Sequence, residues 1–363
     1  MQTIHLVTAC EGPLALNDNA FELCRDFIAP AGDRFFNQVS RMLVYQTAVA
    51  GKEDYKAGDS LKLILPFLKA YGLTNAALTD HAERNLKLVP GAEETYRFLH
   101  LQNFSIFQVS TSYRQFAEAV GRRLGFQPER ITGTELDLDR YVIADAEADK
   151  LKTLLEEIST LPDIEIPPDV KTPADVSPET REAVSRMEAI FREIVPEMAG
   201  GRIYAEVNPL GGPEKVRALE ESLAQTGAAM ANVMYIGDGI TDAEALKTVR
   251  AGGGLSVSFN GSRYAVDSAE FIVVANNVWP IALLAAIFQR WGKDGVVELS
   301  TSSQAGHEKI VALPEAVVEP IVRGLQGRNF SFYPANMPNR DKVVEESAAM
   351  RARLRGEAIA ASG

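Results

Sequence analysis

The chain has 363 residues and a formal net charge of −12, with 46% hydrophobic, 24% charged and 8% aromatic residues; this is the composition of an ordinary folded protein, with enough chain for one elaborated domain or two. The acidic balance excludes partners held by neutralising a long run of phosphates, so no nucleic acid is expected, whereas a small anion gripped by a few local cations and backbone amides is compatible with it. Two cysteines, Cys10 and Cys24, are too few for a disulfide framework, and there is neither a basic leader nor an apolar run of about eighteen residues, so the expectation is a cytoplasmic protein with no membrane segment.

The first expected strand is "IHLVT" (4–8), which runs into the turn "ACEGPL". Residues 17–103 keep a helical spacing of apolar positions and contain no clear strand, far more chain than a crossover needs. A second strand is expected at "FSIFQVS" (104–110), with a helix over 113–124 after it. Another excess, 144–200, holds the Pro- and Asp-rich "LPDIEIPPDVKTPADVSPET" and reads as a loop with helices, an insertion or a linker. A helix over 213–226, the strand "NVMYIGD" (232–238), a helix over 241–250 and the strands "GLSVSF" (254–259) and "EFIVV" (270–274) follow. Short apolar runs alternating with helices predict an α/β fold with a mostly parallel, Rossmann-like sheet. Beyond 293 the pattern loosens and two helices are expected, the last being the charged "RDKVVEESAAMRARLRGEAIA". The expected layout is a core at 1–16, 104–143 and 201–292, a helical cap at 17–103, a second insertion or linker at 144–200, and a helical extension at 293–363.

In such a sheet, chemistry gathers at the carboxyl ends of the strands. Asp238, between two glycines, and Asp242 at the start of the next helix form a pair of hard-oxygen donors suited to Mg²⁺; the plainer alternative is a turn aspartate and a helix cap. Gly211, Gly212 and Pro213 open a helix with Lys215 in its first turn, a seat for a phosphate or a solvated surface lysine. Ser110, Thr111 and Ser112 end a strand before a helix, where each hydroxyl can donate to a phosphate oxygen or cap the helix.

In this order, the acidic loop "ACEGPL", the "VSTSY" hydroxyls, the lysine of "GGPEK" and "GDGITD" resemble the haloacid dehalogenase (HAD) superfamily of phosphatases and phosphotransferases. These carry D-x-D-G-T at the first strand, Ser or Thr at the second, a later Lys, and G-D-x-x-x-D. The segment "GGGLSVSFNGSRYAVDSAEFIVVA" is similar to the one that completes their sheet. The resemblance implies Mg²⁺ held by Asp238, by Asp242 directly or through water, and by the carbonyl of Glu11. It implies Lys215, Ser110, Thr111 and Gly12 around the phosphoryl group, with the Glu11 carboxyl as general acid and base in place of the usual aspartate. It also places Ala9 at the position of the nucleophilic aspartate, where a methyl group can neither attack phosphorus nor bind a metal.

The activity so implied is Mg²⁺-dependent hydrolysis of a small phosphorylated metabolite through an aspartyl-phosphate, with Ala9 marking either a nucleophile-disabled variant or a natural pseudo-phosphatase that binds or regulates without turnover. Pro13 stands where the family has Thr or Ser. Cys10 lacks a partner histidine, since His5, His81, His100 and His307 form no constellation with it, and reads as an apolar filler. Specificity is expected from the cap, with Asn17, Asn19, Glu22, Arg25, Arg34 and Arg41 as candidate contacts. The tail helices are expected to cover the core, to make a homodimer or to serve as an interaction surface.

Overall fold

The structure is a computed structural model and describes residues 3–167, 170, 172–301 and 303–356. Strand β1 (His5–Thr8) is buried along its whole length. From it the chain leaves the sheet for helices α1 (Asn19–Phe27), α2 (Gly32–Val44), α3 (Ser60–Ala70), α4 (Asn75–Asn85) and α5 (Ala92–Leu101), and returns as β2 (Ser105–Tyr113). Next come α6 (Arg114–Arg123), β3 (Ile131–Thr134), α7 (Asp145–Thr160), α8 (Pro178–Ala189), α9 (Arg202–Glu206) and α10 (Pro213–Thr226). The alternating part closes with β4 (Val233–Gly237), α11 (Ala243–Ala251), β5 (Leu255–Phe259), α12 (Arg263–Ser268) and β6 (Phe271–Ala275). The remainder is α13 (Trp279–Thr301), α14 (Ser303–Val311), α15 (Glu315–Leu325), β7 (Phe330–Pro334) and α16 (Arg340–Arg355).

The seven strands form one sheet in the order β3-β2-β1-β4-β5-β6-β7. Every pairing is parallel except that of β6 with β7. The fold is thus α/β, with a mainly parallel Rossmann-like sheet and helical insertions. Strands added after β1 run outward on one side and those from β4 onward run outward on the other, so the switch point lies between β1 and β4. The register sets Thr8 beside Gln108 and beside Ile236. The residues just beyond these, including Ala9, Ser110 and Asp238, therefore emerge at one edge of the sheet.

One face of the sheet is covered by α5, α6 and α13, whose Tyr96, Phe116 and Leu284 pack with Leu6, Ile106 and Ile236. On the other face α10 and α11 place Leu219 and Leu246 against Val7 and Tyr235. A separate helical body has its own core. The stretches 17–103 and 144–200 both contribute to that core: the Phe67 ring lies 4.9 Å from that of Phe35 of α2, tilted to it, and 5.9 Å, edge to face, from that of Phe191. Within 17–103, by contrast, Ala82 of α4 and Tyr96, Phe98 and Leu99 of α5 pack on the sheet.

Two strands are not among those expected. β3 ("ITGT") has a glycine and two threonines and shows no apolar run. β7 ("FSFYP") overturns the expectation of two helices in the tail: its aromatic residues favour extended backbone, and it closes the sheet antiparallel beside β6. α16 then docks on this edge, with Val343 packed against Ile272 and Val274. No helix among the described residues is long and apolar enough to cross a membrane.

Candidate functional site

A cavity of about 160 Å³ opens over the switch point, between the sheet edge and the helical body. Its floor contains Ala9, Glu11, Ser110, Thr111, Ser112, Lys215, Asp238 and Asp242, and its wall includes Arg351 and Arg355. All the residues singled out by the resemblance meet here except Gly12, which lies just behind Asp238: a Cβ on Gly12 would stand 2.1 Å from Asp238 Oδ2, and its φ is +97°. Only glycine fits, because the loop after β1 crosses the carboxylate at backbone distance in the left-handed region.

Ala9 donates its amide to the Ile236 carbonyl at 2.8 Å and presents only its methyl group. Glu11 Oε1 accepts the Asn19 amide at 2.6 Å, at the start of α1. Burial, with the Asp18 carboxylate as the second cause, pushes the Glu11 carboxyl up to about 8, so it holds its proton at neutral pH. In β2, Ser110 and Ser112 are buried on the same side, and the Ser110 hydroxyl accepts the Ser112 amide at 3.1 Å. Burial pushes the Cys10 thiol well above its usual range, which keeps it protonated and inert, a filler in the sheet core.

Lys215 and Asp242 are a buried pair, Nζ to Oδ1 2.7 Å, at 2% and 1% side-chain exposure. Asp242 Oδ1 also accepts the Tyr235 hydroxyl at 2.8 Å, while Oδ2 accepts the amides of Asp238 at 3.1 Å and Gly239 at 3.2 Å. Four donors occupy this carboxylate. Its role here is to aim Lys215 and to tie the β4 loop.

Asp238 is met from the far end of the chain. Its Oδ2 lies 3.1 Å from Arg351 Nη2 and 3.6 Å from Arg355 Nη1. Arg351 also donates to the carbonyls of Asp238 and, at 3.2 Å, Asn260, and Arg355 donates to those of Leu16, at 3.0 Å, and Asn17. Burial raises the Asp238 carboxyl, opposed first by Arg351 and then by Arg355; burial lowers Arg351, opposed first by Asp238. The two arginines were not among the expected site residues. The signal for them is the spacing Val343, Ser347, Arg351, Arg355: four residues apart, they make one stripe on α16, and Ser347 is anchored on the Gly261 carbonyl at 2.8 Å.

The resemblance implies Mg²⁺, which takes about six oxygens in near-octahedral array. The donors do not fit. Position 9 offers a methyl group, the Asp242 carboxylate is taken by four donors, and Asp238 is already engaged by guanidinium groups, which leaves the Glu11 carbonyl without a free carboxylate beside it. Among the described residues no group of three or more His, Cys, Asp or Glu side chains is arranged to hold a metal ion.

Of the cap residues named as candidate contacts, Asn19 lines the cavity. Asn17 bonds Glu22 at 2.7 Å, Arg25 pairs with Asp26, Arg34 with Asp163, and Arg41 reaches the Ile164 carbonyl at 3.4 Å. Arg34 and Arg41 thus tie the first helical stretch to the second. The cap wall is instead made by Ala20, Phe36, Leu43, Val44, Leu61 and Thr47. Lys56, also in the wall, closes onto the core through Glu214 at 2.7 Å.

No protein-family description matches the chain, and no curated protein matches it. Among solved structures, gene product AF1437 from Archaeoglobus fulgidus is 25% identical over 98% of each chain, with a TM-score of 0.77. The shared fold therefore includes the insertions and the C-terminal part. A phosphoserine phosphatase solved as a phospho-aspartyl intermediate analogue is 14% identical, over 75% of this chain and 93% of its own, with a TM-score of 0.43. A HAD family hydrolase, t0658 from Salmonella enterica subsp. enterica serovar Typhi, is 13% identical, over 74% of this chain and 67% of its own, with a TM-score of 0.44. At these scores the last two carry no argument about chemistry.

Proposed function

We propose that this chain binds the phosphoryl group of a small phosphorylated metabolite in the switch-point cavity and does not turn it over through an aspartyl-phosphate. One observation carries the reading: Ser110 and Lys215, which would cradle an anion, line a common cavity with Ala9, which has no carboxylate to attack it. Lys215 supplies a fixed charge, because Asp242 holds it in one direction. The Ser110 hydroxyl supplies a neutral donor. The helical body walls one side of the cavity and limits the ligand to what about 160 Å³ admits. Its Phe36, Leu43, Val44 and Leu61 favour a ligand whose non-phosphate part is largely apolar.

A second reading has one observation in its favour. The Glu11 carboxyl, pushed up to about 8, is poised to give and take a proton near neutrality, the property of a general acid and base. On that reading the chain is a hydrolase lacking only its nucleophile.

Calorimetric titration with inorganic phosphate and with short alkyl phosphates decides the first reading. Binding at one site, weakened at least about tenfold by Lys215→Met, supports it. No heat from any of them would remove it. The Ala9→Asp variant, assayed with p-nitrophenyl phosphate and magnesium, decides between the two: it stays inert on the first reading, and steady phosphate release would establish the second.

A further inference from the structure

We infer that the guanidinium groups of Arg351 and Arg355 take the place of a divalent cation in this site, so that anion binding draws its positive charge from the C-terminal helix and is independent of magnesium. The inference rests on the phosphoryl-binding reading for the identity of the anion, but not for the displacement of the metal.

The argument begins with charge. A buried carboxylate at the edge of the sheet needs a counter-charge, and Asp238 is 7% exposed. Two guanidinium groups supply it, at 3.1 and 3.6 Å from the same oxygen, with the arginine side chains 5% and 8% exposed. Both guanidinium groups line the cavity together with Ser110 and Lys215, and Asp18, which lines it too, acts on Arg351 as a lesser counter-charge. Two guanidinium groups bring to Asp238 the same formal charge that one divalent ion would.

Geometry makes the pair a built feature. Arg351 is fixed by two carbonyls, Asp238 and Asn260, in addition to the carboxylate. Arg355 is fixed by Leu16 and Asn17, the point at which the chain leaves β1 for the helical body. Planar guanidinium groups held in this way present their remaining N–H donors in set directions, as phosphate recognition requires. The helix that carries them is seated by Val343 on β6 and β7 and by Ser347 on Gly261. Meanwhile the other positions are unsuited to a metal: Asp242 is filled by four donors, and Ala9 has no side-chain oxygen.

The test has two arms. In the first, phosphate is titrated calorimetrically into the full chain in EDTA and then with magnesium. The inference expects the same affinity in both, and a loss of at least about tenfold in Arg351→Gln and in Arg355→Gln. Arg355→Gln leaves the anchoring of α16 by Arg351 intact, so it reads the loss even if the Arg351 variant fails to fold. A requirement for magnesium, or full affinity in a folded Arg355→Gln, overturns it. In the second arm, Mn²⁺ binding is followed by electron paramagnetic resonance without phosphate. Absence of bound Mn²⁺ in the parent chain is expected, and a Mn²⁺ site abolished by Asp238→Asn overturns the inference. If phosphate binds under no condition, the phosphoryl-binding reading fails, while the Mn²⁺ arm still decides whether arginine has displaced the metal.

Discussion

Replacing Gly12 by alanine tests the close crossing at the centre of the site. The added Cβ would stand 2.1 Å from Asp238 Oδ2 and 2.4 Å from its Cγ, at a backbone φ of +97°. The left-handed backbone alone costs an alanine about 1 kcal/mol. The overlap cannot be absorbed by small adjustments, so the carboxylate must turn away, leaving two buried guanidinium groups without it; breaking a buried charge-assisted contact in this way costs about 3 kcal/mol. The expected total is about 4 kcal/mol, measured by chemical unfolding followed by tryptophan fluorescence. Gly227 is the control, because its φ is +67° and an added Cβ there meets nothing within 4 Å. Gly227→Ala should lose only the backbone part, about 1 kcal/mol. Equal losses in the two variants would refute the claim that this loop is pressed against Asp238.

Burial, with Arg130 as the second cause, holds His5 at about 4. Because the unfolded imidazole titrates near 6.5, its contribution to stability is fully present above that pH and is lost as pH falls toward 4, by about 3 kcal/mol. His5→Gln should flatten the unfolding free energy over this window, and an unchanged slope counts against the assignment. Tyr113→Phe removes a 2.6 Å hydrogen bond to the Leu61 carbonyl that ties β2 to the helical body; a loss of about 1 kcal/mol in unfolding is expected, and no loss would mean the tie is not formed. Asp238→Asn should destabilise the ligand-free chain by about 3 kcal/mol and be rescued by phosphate more strongly than the parent chain is, since the anion then supplies the missing counter-charge. Equal stabilisation by phosphate in both would separate the anion site from Asp238.

The parts of the site legible in the sequence are those whose position is set by local structure. Ala9, Glu11, Ser110 and Asp238 each follow an apolar run, and a run that ends at a sheet edge fixes where its last residue points. Lys215 lies in the first turn of a helix whose start is marked by two glycines and a proline. The arginines were not legible on the same terms. Arg351 is 113 residues from Asp238 along the chain. On a helix otherwise rich in charge it looks like part of a solvated face, and only the docking of α16 on the sheet edge makes the stripe from Val343 to Arg355 an inner one. The same holds for the helical body. Arg34 and Gln38 reach residues 161–163 across more than 120 positions. A Pro- and Asp-rich stretch gives no sign of where it will lie, because its hydrogen bonds are satisfied by another part of the chain. β3 and β7 were missed for a related reason: strands of four and five residues at the ends of a sheet are held by their neighbours more than by their own pattern.

The overall charge of −12 is compatible with buried cations in the cavity because carboxylates hold them from the protein side. Lys215 is held by Asp242, and Arg351 and Arg355 share Asp238. These carboxylates lower the cost of burying the cations and, being fixed on the loop after β4, hold them in set directions at the cavity. In this arrangement Asp238 and Asp242 do for guanidinium and ammonium groups what acidic residues elsewhere do for a metal ion. With a methyl group at position 9, a metal there would have one ligand fewer, and a cation carried by the chain itself needs neither that ligand nor an ion from solution.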